Sequence, residues 1–218
     1  MYPDRLPIFR KEATVTANSE RYALSFTSGG LLVREADVIV AEYLRARDWG
    51  AVRQVVVERN LLQARTNSSS VRVTRETIQR LGALDNAELE ILADASLTER
   101  CHLMWAAACR RYDLIGDFAE EVLRERFLLM TPTVDVEDFD RFITGKSLWH
   151  PELDELKSST REKLRHTIFR MLHEAGLRAE AGAIIPAVIS ERVHGVLAAS
   201  EPSDIRFFPT TLTMEATR

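Results

Sequence analysis

From Leu31 onward the apolar positions fall at Leu32, Ala36, Ile39, Val40, Tyr43 and Leu44, the i, i+4, i+7, i+8 stripe of an amphipathic helix. Before it, Tyr22 to Phe26 alternates like an extended segment and is broken by Gly29-Gly30, while residues 1–21 have no periodicity and read as a poorly tied arm. Asp48 is placed to cap a second short helix through about Arg59, although Val55-Val56-Val57 reads equally well as a strand. Asn67-Ser68-Ser69-Ser70 forms a polar break, followed by a helix over 71–81 with Arg72, Arg75 and Gln79 on one side. Asp85 with Glu88, and Ser96 with Glu99, have capping-box spacing. The second box opens an apolar helix containing Leu97, Cys101, Met104, Trp105 and Ala108, and another follows with Leu114, Phe118, Val122 and Leu123 inward.

Thr131-Pro132-Thr133 reads as a linker, and beyond it a helix surrounds Phe139, Phe142 and Ile143. The proline of Trp149-His150-Pro151 stops that pattern. Ser159 with Glu162 spells a third capping box, for a helix reaching about Ala175, and Gly176 stands where a left-handed C-cap residue belongs. A last helix is predicted from near Pro186, carrying Ile189, Val193 and Val196, and the Phe207-Phe208-Pro209 tail is expected to fold back onto the body. The pattern predicts an all-α protein of about eight to ten helices, with an arm (1–21) and two helical subdomains (22–131 and 132–218).

Composition alters this picture little: 45% hydrophobic and 28% charged residues are ordinary for a globular protein. No apolar run approaches the roughly 20 residues of a membrane span, and no apolar leader is read at the N-terminus. Cys101 and Cys109 are too few for a disulfide framework and, within one helix, too far apart to pair. A cytoplasmic protein is therefore expected. Charge distribution says more than the net value of −4. Residues 59–80 carry Arg59, Arg65, Arg72, Arg75 and Arg80 against Glu76 alone, and residues 157–178 hold Lys157, Arg161, Lys163, Arg165, Arg170 and Arg178 against Glu162 and Glu174. Between these basic blocks, residues 112–140 carry nine carboxylates and only Arg124 and Arg126.

Catalytic and metal signatures fail on inspection. Gly145-Lys146-Ser147 resembles the end of a phosphate-binding loop, yet Asp140 stands where the loop needs its first glycine. His166 and His173, seven residues apart, have backbones about 10 Å apart on a helix, too far to share an ion. Cys101-His102 with Cys109 has no tetrahedral ligand spacing. Asp135, Glu137, Asp138 and Asp140 have no Lys or His to complete a hydrolytic set, and Asp135 and Asp138 read as helix-start residues. No enzyme activity, metal or cofactor is predicted.

The basic blocks carry the remaining chemistry. The helix near 160–175 buries Leu164, Ile168, Met171 and Leu172 and projects Lys163, His166 and Arg170 from the opposite flank, with Arg165 on the other side. Lys157, Thr160 and Arg161 sit at its start, where free amides and the helix dipole favour an anion. The Ala175-Gly176-Leu177 bend resembles the helix-to-wing transition of winged-helix proteins. Arg59, Arg65, Arg72, Arg75 and Arg80 would make a second surface, with Asn67 to Ser70 as a flexible loop reaching a phosphate backbone. No aromatic residues are interleaved with these charges, which disfavours single-strand readers. The competing reading is that the basic faces meet water or pair with the acidic block.

Several local runs carry a resemblance. They are Tyr22 to Gly30, Asp48-Trp49, Asn60-Leu61-Leu62-Gln63-Ala64-Arg65-Thr66, Arg75-Glu76 with Arg80-Leu81, and Trp105 with Tyr112 to Phe118. Further on come Asp138 to Phe142, Ser159 to Leu164, Glu174-Ala175-Gly176-Leu177 and Phe208-Pro209. In order and spacing the chain resembles the BrxA family, small helical accessory proteins of bacterial BREX phage-defence systems. The resemblance implies a fold similar to the antitermination factor NusB, no enzymatic reaction, and binding of double-stranded DNA. It also implies partners among the methyltransferase, ATPase and phosphatase-like BREX components. An RNA-binding adaptor and a protein–protein scaffold docking through the acidic 112–140 face are the alternatives.

Overall fold

The computed structural model describes residues 21–26 and 29–211, so the predicted arm lies, Arg21 apart, outside the described residues. These are helical with no strand, only two isolated antiparallel bridges. In order they form α1 (Val33–Ala46), α2 (Trp49–Glu58), α3 (Asn67–Leu81), α4 (Asn86–Asp94) and α5 (Leu97–Arg111). Next, α6 (Asp113–Phe118) runs through π-helical turns (Ala119–Arg124) into α7 (Glu125–Leu128). The chain continues with α8 (Val136–Lys146), α9 (Pro151–Asp154), α10 (Ser158–Glu174), α11 (Glu191–Ala198) and a 3-10 turn (Asp204–Phe207).

Helix starts set by local chemistry form as predicted. Asp48 caps α2 by accepting from the Ala51 amide, and both predicted boxes at Asp85/Glu88 and Ser96/Glu99 close reciprocally. Val55 to Val57 is helical because Val52 and Val56, four residues apart, bury against the core. Gly176 adopts φ +70, the left-handed C-terminal position. After it, the Ala179 amide donates to Ala183 O and the Gly182 amide to Ala179 O, and Arg178 bridges Ile184, so α10 leads into a short hairpin.

Three expectations are corrected. Asn67 to Ser70 is the first turn of α3, because Thr66 accepts from the Ser69 amide and starts the helix four residues early. The Ser159/Glu162 box does not form, since α10 begins at Ser158 with Lys157 in the cap position. The last helix starts at Glu191; Pro186 lies in extended chain, where the Ala187 amide donates to Pro209 O instead of to a helix.

Helix α5 runs through the core, buried from His102 to Cys109, and its three alanines let neighbouring helices approach closely. Trp105 is fully buried, and its indole N–H donates to Phe207 O at 2.9 Å, which seats the folded-back tail. Burying a ring of this size contributes about 1.5–3 kcal/mol relative to exposure. Arg110 adds an electrostatic tie among α4, α5 and the tail, gripping Glu88 with two bonds of 2.6 Å and Asp204 with one of 2.5 Å.

Glu99 performs a similar task at the start of α5. Arg192, then Ser190 and the Ser96 amide, hydrogen-bond its carboxylate and hold its pKa far below the ordinary carboxylate value of 4.5. A depressed folded-state pKa stabilises above the unfolded value, and that stability is lost as pH falls through and below it. Thermal melts from pH 6 down to pH 3 are therefore expected to fall several degrees further for the wild type than for Glu99→Gln. Parallel curves would show that Glu99 contributes nothing pH-dependent.

Candidate nucleic-acid interface

The exposed cations are arranged by the packing of α2 on α3. Because Val52 and Val56 face inward, Arg53 points to solvent, and Arg59 is exposed at the helix end. The chain then turns through left-handed Asn60 (φ 46) and Gln63 (φ 52). The Asn60 side chain fixes this turn by accepting from the Ala64 amide at 2.9 Å and donating to Ala64 O at 3.1 Å. Arg65 follows it, exposed, immediately before the Thr66 cap. In α3 the helical period buries Ser70, Thr74 and Thr77 and exposes Arg72, Arg75 and Gln79. None of Arg53, Arg59, Arg65, Arg72 and Arg75 has an ion-pair partner among the described residues. Glu58, hydrogen-bonded to Gln54, is the acidic side chain lying among them. Arg53 lies outside the sequence candidates, whose basic block is counted from Arg59.

Arg80 does not belong to this surface. It is fully buried, donating from Nη1 to Gly30 O at 2.6 Å and from Nε to Glu76 at 2.9 Å, with Nη2 also 2.9 Å from Glu76 but off hydrogen-bond geometry. Glu76 also accepts from the Tyr112 hydroxyl at 2.7 Å. Across the glycines, Glu174 accepts from the Leu31 amide at 2.6 Å, and a Cβ on Gly30 would stand 2.1 Å from its carboxylate. Gly30 is thus a glycine because Glu174 occupies the side-chain space. Upstream, Tyr22 donates its amide to Glu152 and its hydroxyl to Asp117, and Phe26 packs on Tyr112 at 5.0 Å. Residues 22–26 and 29–31 therefore strap α3 and α5 to α6, α9 and α10. Much of the motif set noted in the sequence (Tyr22, Phe26, Gly30, Glu76, Arg80, Tyr112, Glu174) meets in this buried network and serves architecture.

The second basic block is partly neutralised by its own chain. Arg161 donates to the Asp140 side chain at 3.2 Å and to Asp140 O at 2.8 Å, Arg165 lies 3.9 Å from the same carboxylate, and Arg170 donates to Glu174 at 2.8 Å. Lys157 and Lys163 are exposed and have no ion-pair partner among the described residues, and Thr160 is half-buried beside them in the first turn. The acidic block thus reaches α10 through Asp140, as the competing reading anticipated. Lys146 of the glycine-lysine-serine run is held by Asp117 and Glu121, each at 2.6 Å. Among the described residues no cluster of three or more His, Cys, Asp or Glu could hold a metal, and no helix is long and apolar enough to cross a membrane.

Comparison with known proteins agrees with this geometry in fold and family. The chain is 24% identical over 159 residues to the BREX protein BrxA of Escherichia coli, covering 73% of this chain and 75% of that protein. Likewise, the BREX protein BrxA of Paramagnetospirillum magneticum is 24% identical over 156 residues, covering 72% and 78% respectively. The crystal structure of an uncharacterized protein from Magnetospirillum magneticum superimposes with a TM-score of 0.75, over 87% of this chain and 100% of that one, at 23% identity. At that identity the likeness is one of fold. A family model for BrxA matches residues 20–201, most of the sequence, and the chain belongs to the BrxA family.

Proposed function

We propose that this protein is a non-enzymatic accessory component of a BREX phage-defence system in the cytoplasm that holds double-stranded DNA by its phosphates. The principal contact is the α2–α3 face, with Arg53, Arg59, Arg65, Arg72 and Arg75. Lys157, Thr160 and Lys163 of α10 make a second one, and the hairpin after Gly176 supports this by giving α10 the order of a helix followed by a wing. The observation that carries the reading is five exposed arginines without ion pairs among the described residues, in a chain whose net charge is −4. Guanidinium groups match phosphate oxygens with two parallel donors and gain further from counterion release. The partly paired Arg161, Arg165 and Arg170 would have to exchange a carboxylate for a phosphate, so they are weaker contacts.

A salt titration of binding to a fluorescent duplex, from about 50 to 200 mM, tests this reading. Five arginine and two lysine contacts predict a slope of log K on log salt of about −6. No binding at the lowest salt would overturn the proposal. Equal competition by matched duplex RNA would replace it with an RNA-binding adaptor.

A further inference from the structure

Helix α8 carries two carboxylates that each face two arginines, and they differ in what surrounds them. Asp138 holds Arg126 and Arg141 and accepts from the Asp135 amide, with its side chain only 3% exposed. That carboxylate is a fixture of the fold. Asp140, two residues on, is 45% exposed and meets Arg161 and Arg165 of α10. Its Oδ1 accepts from Arg161 Nε at 3.2 Å, while its Oδ2 lies 3.9 Å from Arg165 Nη1, beyond hydrogen-bond reach. The three side chains line, with Ser158 and Glu162, an open recess of about 370 Å³.

A carboxylate with one oxygen toward each of two guanidiniums stands as the two non-bridging oxygens of a phosphodiester would. The same row of α10 opens at its cap with Lys157, since 157, 161 and 165 follow at i, i+4 and i+8, about 6 Å apart on one side of the helix. Lys157 is exposed and has no ion-pair partner among the described residues, so Asp140 occupies two of the three cations in the row. Glu162 borders the recess too but lies in ion-pair range of neither arginine. Arg161 does not depend on the carboxylate for its position, because Nη2 donates to Asp140 O at 2.8 Å and to Thr144 Oγ1 at 3.3 Å. An ion pair this open to water is screened and exchangeable. We infer that Asp140 is an intramolecular competitor of the DNA phosphate and sets how strongly α10 holds duplex DNA. The inference rests on the DNA-binding reading above and adds to it a residue that weakens the contact. A phosphate reaches Arg161 and Arg165 only by displacing Asp140.

Salt titrations of a fluorescent DNA duplex compare the wild type, Asp140→Asn and Glu191→Gln, the last a charge-matched change at an exposed position of α11. Asp140→Asn is expected to bind about three- to tenfold more tightly near 50 mM salt, with a slope steeper by about one to two units, since Arg161 and Arg165 then reach phosphates. Glu191→Gln should change affinity by less than about twofold. Arg161→Gln with Arg165→Gln, added to Asp140→Asn, should abolish the gain. Asp140→Asn should melt within a few degrees of the wild type, because Arg161 keeps its two other acceptors and the lost pair is exposed. Asp140→Ala, which introduces no amide, should show the same gain. Wild-type affinity and slope in both Asp140 variants, with DNA binding by the wild type intact, would overturn the inference and leave the DNA reading standing. So would an equal gain in Glu191→Gln, or a gain that survives loss of the two arginines. Unfolding of both Asp140 variants would make Asp140 a fixture like Asp138 and overturn it as well. No binding by any of these proteins at the lowest salt would instead overturn the DNA reading itself.

Discussion

Changing Arg59, Arg65, Arg72 and Arg75 together to glutamate is expected to lower affinity for duplex DNA by at least about 10³-fold near 50 mM salt. The same change should remove about four units of the salt slope, because each phosphate contact contributes roughly 0.9. Stability should change little: all four side chains are exposed and none anchors another residue through an ion pair among the described residues. That separation of binding from folding is what makes the test decisive. The matched change of Lys157 and Lys163 to glutamate should cost less, about tenfold to a hundredfold, since only two contacts are removed. Unchanged affinity in the four-arginine variant would show that the α2–α3 face is not the DNA surface. Loss confined to the α10 variant would move the site to that helix.

Replacing Arg80 by methionine has the opposite signature, a loss of about 3–5 kcal/mol in folding free energy. Methionine fills most of the volume but leaves Gly30 O and the Glu76 carboxylate without their cation, and Glu76 keeps only Tyr112. For a domain stable by about 5–15 kcal/mol this is a large fraction of the total. Lysine should not rescue it, because one ammonium cannot reproduce a guanidinium fork that spans a carbonyl and a carboxylate. Adding Glu76→Gln should recover part of the loss by removing the stranded charge. Denaturant unfolding measures both variants, and DNA binding by the folded fraction should be unaltered. A stable Arg80→Met protein with weakened DNA binding would return Arg80 to the interface and overturn the buried-network reading.

These two experiments separate residues that look alike in the sequence. Arg72, Arg75 and Arg80 lie within one helix and one basic block, and periodicity correctly turned the first two outward. Arg80 falls on the inner flank, next to Leu81, where a charge is normally excluded. Its burial depends on Gly30 and Glu76 arriving together, one from fifty residues upstream and one a helical turn before it. The alternating Tyr22–Phe26 segment and its glycines were recognisable as unusual. Their purpose, clearing space for Glu174 and a carbonyl for Arg80, needs the strap closed across α3 and α10.

By itself the sequence determined the local features: the helical stripes, the Asp48 cap, the boxes at Asp85/Glu88 and Ser96/Glu99, the Gly176 terminus and the family. Each depends on residues a few positions apart, whose hydrogen bonds and backbone preferences act within one turn. Where two local options competed, as at Asn67 to Ser70 or Ser159/Glu162, the same polar side chains serve loops, caps and first turns about equally well. At Asn67 to Ser70 the neighbouring Thr66 cap decided, whereas tertiary structure decided which cations remain available. Arg80 is consumed by the strap, Arg161 and Arg165 by Asp140, Arg170 by Glu174, and Lys146 by Asp117 and Glu121. Whether a cation is free depends on which carboxylate packing brings within about 4 Å of it, and for most of these cations that carboxylate lies far away along the chain.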